Sequence, residues 1–369
     1  MGEGEDSVMV ELKDLCKKAS SNIAQKDLDG HTGKFPIYGA SGLIGYVDFY
    51  KQEKPYIAVV KDGAGIGRVM SLPAKSSVIG TMQYILPNDD VDAQYLSFAM
   101  ENMNLAKYFS GATIPHIYFK DYCTEKLPKH SEKEQKQISA VLSKVTELIS
   151  LRKQQLAKLD ELVKARFVEM FGDPVSNPLH WKKVKLSELA DIKIGPFGSL
   201  LHKEDYVTGG HPLVNPSHII NGRIIVDNDL TLTEGKYFEL SAYHLKENDV
   251  VLGRRGEMGR CAVVDEEGLL CGTGSLFIRT NGTVTADYIQ KIISFPTFKK
   301  TIEDMAVGQT MPNLNVPIVS NFMIIVPPLS VQKDYHDFVE CVDQQKQTVQ
   351  QSLEMLELMK KALMQEYFG

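Results

Sequence analysis

The chain has 369 residues, 43% hydrophobic and 24% charged, with a formal net charge of -6. That length is comfortable for two cores, and the composition is that of a soluble globular protein rather than a disordered one. The acidic balance argues mildly against a protein that binds naked nucleic acid alone, which usually carries a basic footprint, but a subunit of a larger DNA-binding assembly escapes that expectation.

In chain order, the acidic stretch Met1 to Met9 has neither the basic start nor the apolar run of a signal peptide. No segment approaches ~20 consecutive apolar residues, so no membrane span is expected and the predicted location is the cytoplasm. Leu12-Lys13-Asp14-Leu15 and the turn-rich Tyr38-Gly39-Ala40-Ser41-Gly42 precede a predicted strand, Tyr56-Ile57-Ala58-Val59-Val60. A glycine-rich turn follows, from Lys61-Asp62-Gly63 to Gly67-Arg68. Asp92 to Phe109 reads as a helical stretch, then Gly111-Ala112-Thr113-Ile114-Pro115 as a loop, then a short strand before Pro128. A long helix runs on to Gly172.

The same grammar then repeats. Gln135-Lys136 to Phe171-Gly172 aligns without gaps on Gln332-Lys333 to Phe368-Gly369, an offset of 197 residues. Gly308-Gln309-Thr310-Met311-Pro312 falls on the first G-x-T-x-P loop at that same offset. Further upstream the match needs gaps: Leu186-Ser187-Glu188-Leu189 resembles residues 12–15, and Gly256 through Gly259-Arg260 resembles Gly63 through Gly67-Arg68. Asp249-Val250-Val251-Leu252 is the second copy's predicted strand, and Ala286 to Ala306 its shorter helical stretch. The expected fold is mixed α/β, with α+β heads at 1–127 and 173–326 and long helices at 128–172 and 327–369.

Along the first long helix, Ile138, Leu142, Val145, Ile149, Leu156, Leu159, Val163 and Met170 recur at spacings of four and three. Tyr335, Val339, Val342, Val349, Leu353, Leu356, Leu363 and Tyr367 do so along the second. This 3.5-residue period is that of a coiled-coil seam, although a helix lying on its own head shares it. From Leu127 to Gly172 nine Lys/Arg face six Asp/Glu, and from Pro327 to Gly369 four face seven. Balances of +3 and -3 favour pairing of the two helices with each other. Run antiparallel, they place a head at each end of a shared rod, with a pseudo-twofold axis.

Catalytic signatures are absent. Asn215-Pro216-Ser217-His218 lacks the second proline and the aromatic of an amino-methyltransferase motif. Gly63-Ala64-Gly65-Ile66-Gly67 is not G-x-G-x-x-G, and no phosphate-binding G-x-x-x-x-G-K-[ST] occurs. The histidines lack metal spacing, and the five cysteines contain no C-x-x-C pair. Neither a metal nor any other cofactor is expected on this chain.

Binding is the better reading. Arg254, Arg255 and Arg260 stand on a glycine-rich turn, where arginine can fork onto guanine and glycines admit backbone amides to phosphates. Lys61 and Arg68 are their first-head counterparts. Thr113, His116, Tyr118 and Lys120 follow the first G-x-T-x-P turn, with Thr310, Asn313 and Asn315 in the second. All twelve are candidate DNA contacts; a tight hairpin with solvated arginines, and prolines acting as plain turn formers, fit the same residues.

Phe35-Pro36-Ile37-Tyr38-Gly39-Ala40-Ser41-Gly42-Leu43-Ile44-Gly45-Tyr46-Val47-Asp48 resembles the opening of target-recognition domains in type I restriction-modification specificity subunits. So do Trp181 to Leu186, Gly195-Pro196-Phe197-Gly198-Ser199, Pro327-Pro328-Leu329 to Gln332, and the helix ends Phe171-Gly172-Asp173-Pro174 and Tyr367-Phe368-Gly369. One departure is Pro128-Lys129-His130-Ser131, which lacks the double proline. The resemblance covers the whole chain. It implies double-stranded DNA as the ligand, methyltransferase subunits docked on helices and heads, and ATP-driven restriction subunits joining them. S-adenosylmethionine, ATP and Mg²⁺ would belong to those partners. A coiled-coil scaffold with two protein-binding heads, or a module detached from a fused restriction-methylation enzyme, are the competing readings.

Overall fold

The computed structural model describes residues 8–109, 115–197, 200–306 and 313–369. It divides into two compact units, Met1–Leu156 with Thr348–Gly369 and Ala157–Gln347. Each unit therefore holds one head, half of the first long helix (Glu132–Phe171) and half of the second (Leu329–Phe368).

In the first unit, Val8–Glu11 pairs antiparallel with Lys126–Lys129. The main sheet runs Cys16–Ser20, Met82–Pro87, Tyr56–Val60, Val69–Leu72 in spatial order, all antiparallel. Tyr56–Val60 has no charged residue and is buried at every position, because both of its faces are covered. Ile57 and Val59 join Tyr95, Leu96 and Ala99 of the helix Ala93–Asn102. Tyr56, Ala58 and Val60 point the other way, against Val78 and Tyr38 of a small sheet in which Phe35–Gly39 pairs parallel with Ser77–Val78.

The second unit repeats this plan. Lys183–Lys185 pairs with Met323–Ile325, and the main sheet runs Ala190–Ile194, Ser275–Thr280, Asp249–Gly253, Cys261–Val263. His211–Val214 pairs parallel with Leu270–Cys271, as its counterpart does in the first head. Here the sequences of the heads align poorly, yet the strand order is the same.

Both predicted helical stretches break. The first ends at Asn102; Asn104 turns left-handed (φ 50°) and a 3-10 turn follows at Leu105–Tyr108. The second splits into Ala286–Ser294 and Pro296–Met305, because Pro296 keeps Phe295 extended (ψ 137°). The first long helix begins at Glu132, beyond the expected 128. The strand Lys126–Lys129 runs across that boundary, and Ser131 and Glu134 form a capping box (Glu134 Oε2 accepts from Ser131 N at 3.0 Å).

The ends of the long helices pack into the heads. Ile138, Leu142, Met364 and Phe368 lie in the first head's core, so the start of one helix meets the end of the other in that unit. Phe167, Phe171 and Tyr335 do the same in the second head. Antiparallel pairing continues inside each unit: Arg152 Nε donates to Ser352 Oγ at 3.2 Å in the first, and Lys346 bridges Asp160 at 2.7 Å in the second. Of the mid-helix seam residues, Leu159, Val342, Val349 and Leu353 are buried, while the heptad reading misassigns the helix ends. There Phe171 and Phe368 are the buried residues, while Met170 and Tyr367 are only half-buried.

One buried glutamine in each unit ties helix to head. Gln135 Oε1 accepts from Asp92 N (2.8 Å) and its Nε2 donates to His130 O (2.9 Å). Gln332 Oε1 accepts from Thr285 N (3.0 Å) and its Nε2 donates to Pro327 O (2.9 Å). Asp92 and Thr285 are themselves the N-caps of the head helices.

Candidate nucleic-acid interface

The glycine-rich turn and the segment after G-x-T-x-P, far apart in sequence, meet in each head. Three backbone hydrogen bonds build the same frame twice. Val60 N donates to Arg68 O (2.9 Å), as Gly253 N does to Arg260 O (2.9 Å), which closes the turn. Lys61 N donates to Thr81 O (3.0 Å), as Arg254 N does to Gly274 O (3.0 Å). Ile117 N donates to Lys61 O (3.0 Å), as Leu314 N does to Arg254 O (2.9 Å). Lys61 therefore corresponds to Arg254, Asp62 to Arg255, Arg68 to Arg260 and His116 to Asn313. The turn needs its glycines: Gly63, Gly65, Gly67, Gly256 and Gly259 all have φ between 75° and 85°.

In the first head, His116 Nδ1 lies 2.6 Å from Asp62 Oδ1, and Lys61 Nζ lies 3.3 Å from Asp62 Oδ2. Tyr118, half exposed, stacks its ring at 6.4 Å from that of His116, and Lys120 Nζ sits 5.4 Å over it. Arg68 is exposed but donates through a terminal guanidinium nitrogen to Ala40 O at 2.7 Å, which joins the Tyr38–Gly42 turn to the same surface.

The second head holds its arginines differently. Arg254 donates from Nε to Leu314 O at 2.8 Å, and burial, followed by the neighbouring Arg255 charge, holds its guanidinium below the usual range. Arg260 is tied to Glu257 (2.9 Å) and to Pro216 O (3.2 Å). Hydrogen bonds from Lys299 and Arg260 keep the Glu257 carboxyl below the ordinary carboxylate value. Arg255 is exposed and has no ion pair or hydrogen bond among the described residues. Asn313 is half-buried, and its Oδ1 is enclosed without a hydrogen-bond partner among them.

Of the twelve candidates, Thr113 and Thr310 lie outside the described residues. Asn315 caps a helix: its Oδ1 accepts from Ile318 N at 2.9 Å as the N-cap of Val316–Ser320. Arg254 and Arg260 likewise spend part of their guanidinium on the turn. Sequence reasoning missed Asp62, although it stands inside the quoted Lys61-Asp62-Gly63 string. It also set aside Asn215-Pro216, which buttress the arginine turn: Asn215 Oδ1 accepts from Gly274 N at 3.3 Å and Pro216 O from Arg260. Among the described residues, no three His, Cys, Asp or Glu side chains are grouped to hold a metal, and no helix is long and apolar enough to cross a membrane.

Fold and surface together define a tandemly duplicated two-headed protein, with one polar loop frame displayed twice. The type I restriction modification DNA specificity domain matches residues 4–161 and again 178–358. This chain belongs to that family. It is 24% identical over 330 residues to the specificity subunit of the type I restriction enzyme MjaVIII of Methanocaldococcus jannaschii, covering 84% of this chain and 77% of that protein. The MjaIX specificity subunit of the same organism is 22% identical over 76% of this chain and 69% of its own length. In fold, the chain is similar to the type I restriction-modification S subunit from M. genitalium, with a TM-score of 0.66, 16% identity, and coverage of 100% of this chain and 98% of that one. It also matches a chain from a structural study of type I system assembly and conformational transition, with a TM-score of 0.58, 14% identity, and coverage of 98% and 97%.

Proposed function

We propose that this chain is the sequence-reading subunit of a type I restriction-modification enzyme. Each head reads one half of a bipartite double-stranded target, and the paired helices set the gap between the halves. The observation that carries this reading is the doubled loop frame: three matched backbone bonds hold the same scaffold in both heads, while the side chains on it differ. Two readers of unlike sequences require that arrangement. Backbone glycines and cations suit phosphate contact, and the variable polar side chains suit base edges.

The chain itself carries no chemistry in this account. Methyltransferase subunits bring S-adenosylmethionine, and restriction subunits bring ATP and Mg²⁺, in a cytoplasmic complex. Much of the phosphate neutralisation falls to those partners, which accommodates a net charge of -6. The first unit also offers a surface for docking: Leu151, Met355, Leu358 and Met359 of the long helices are 47–62% exposed.

The test is duplex binding by the chain assembled with its methyltransferase, over a salt series. Affinity for its genomic target should exceed that for random duplex by at least ~10³, with both falling as salt rises. Equal affinity for the two duplexes would favour a coiled-coil scaffold with protein-binding heads.

A further inference from the structure

The two frames match bond by bond, so the first position at which their side-chain charge differs is informative. It falls on the residue just after the shared Lys61/Arg254 anchor: Asp62 in one head and Arg255 in the other. The chemistry there is opposite. Arg255 projects from the turn with a guanidinium that no described residue engages. Asp62 offers carboxylate oxygens, already accepting from His116 (2.6 Å) and bridged to Lys61 (3.3 Å). The other cations of the turns differ from Arg255, since Arg68, Arg254 and Arg260 are each held by protein acceptors.

In the major groove, a guanidinium forks onto the O6 and N7 acceptors of guanine, while a carboxylate is repelled by them and accepts from an exocyclic amino group. We infer that the Asp62/Arg255 position is a specificity-determining position of both heads. The second head selects guanine through Arg255. The first head uses Asp62 to reject guanine and take a base edge that presents an amino donor, cytosine or adenine. This rests on the DNA-recognition reading above and adds to it which residue distinguishes the half-sites, and in which direction. His116 and Lys61 then have a positioning role, since they hold the carboxylate in place.

The experiment is methylome mapping with the full chain and its methyltransferase, comparing wild type with Arg255→Gln, Arg255→Lys and Asp62→Asn. Arg255 is exposed on a turn, so its replacements leave the core untouched. Arg255→Gln should lower the preference for guanine at one position of one half-site roughly 10- to 100-fold and leave the other half-site unchanged. Arg255→Lys should lose most of the same preference, because a lysine keeps the charge without the planar fork. Asp62→Asn should change base choice only in the opposite half-site. The inference is overturned if Arg255→Lys matches wild type while Arg255→Gln weakens all sequences alike, which is the signature of a phosphate contact. It is also overturned if all three variants leave both half-sites intact. A wild-type complex that methylates without sequence preference would instead overturn the DNA-recognition reading itself, before any variant is considered.

Discussion

The first and second heads share strand order, the parallel pair in the small sheet and the buried glutamine joint, yet they differ at the centre of the main sheet. In the second head, Asp249 is 1% exposed and accepts two bonds from Arg279 across the strand pair (2.8 and 2.6 Å). The hydrogen bond it donates to Asp249 raises the Arg279 guanidinium above its usual value. In the first head the corresponding places are taken by Tyr56 and Leu86, packed in an apolar cluster. One backbone arrangement thus tolerates an ion pair or a hydrocarbon contact at the same site. What both copies preserve are the bonds that satisfy buried backbone groups and the apolar contacts between helix and head. Side chains facing outward, such as Asp62 and Arg255, are left to diverge.

The comparison can be broken where the units are assembled. Phe171→Ala and Phe368→Ala should each cost about 3–5 kcal/mol, the range for emptying a buried phenylalanine site. Their effects should separate: hydrogen exchange should show Phe171→Ala opening the second unit and Phe368→Ala the first, although Phe368 lies at the far end of the chain from that head. Next comes the ion pair. Asp249→Ala, which removes both bonds from the partly exposed Arg279, should destabilise the second unit by about 2–3 kcal/mol in denaturant unfolding. The double replacement Asp249→Leu with Arg279→Met should recover more than half of that, as the hydrocarbon contact of the first head indicates.

A smaller effect is expected at the joints. Gln135→Leu or Gln332→Leu leaves the amide of Asp92 or Thr285 and a carbonyl without partners, at about 1–3 kcal/mol for a buried unsatisfied group. Near-equal losses of Tm in the two variants would sharpen the equivalence of the units, and a loss in only one would break it. The smallest effect is on pH dependence. His130 is half-buried, bonded to Tyr95 Oη at 2.7 Å, and burial lowers its pKa from the ordinary 6.5. A histidine held neutral stabilises the fold above 6.5 and gives that up as the pH falls through its lowered value. Pro327 occupies the matching place in the second unit. Below about pH 6.5 the first unit should lose exchange protection before the second, and His130→Gln should remove the difference.

Much of this was legible in the residues. An ungapped match of two amphipathic stretches, with a non-helical G-x-T-x-P string at the same offset, identified the duplication and the order of heads and helices. Tyr56–Val60 and Val250-Val251-Leu252 declared themselves as strands through runs of β-branched and other apolar residues. The helix ends misled because a heptad pattern reports which face is buried without naming what covers it. Phe171 and Phe368 stand one residue beyond the expected seam positions Met170 and Tyr367, and they are buried because head and partner helix cover them together.

For the candidate interface, sequence alone determined the ingredients: two glycine-rich turns, their basic residues, and a polar segment after each G-x-T-x-P string. Local composition is enough for that, since φ-permissive glycines and long polar side chains act over a few residues. Only the tertiary structure decided that turn and segment form one surface, that Arg254, Arg260 and Asn315 are engaged by the fold, and that Asp62 stands where Arg255 stands in the other head. Those outcomes depend on backbone hydrogen bonds between segments some 55–60 residues apart, Ile117 to Lys61 and Leu314 to Arg254. Pairing over that distance is set by the packing of the whole sheet, so no local string of residues records it.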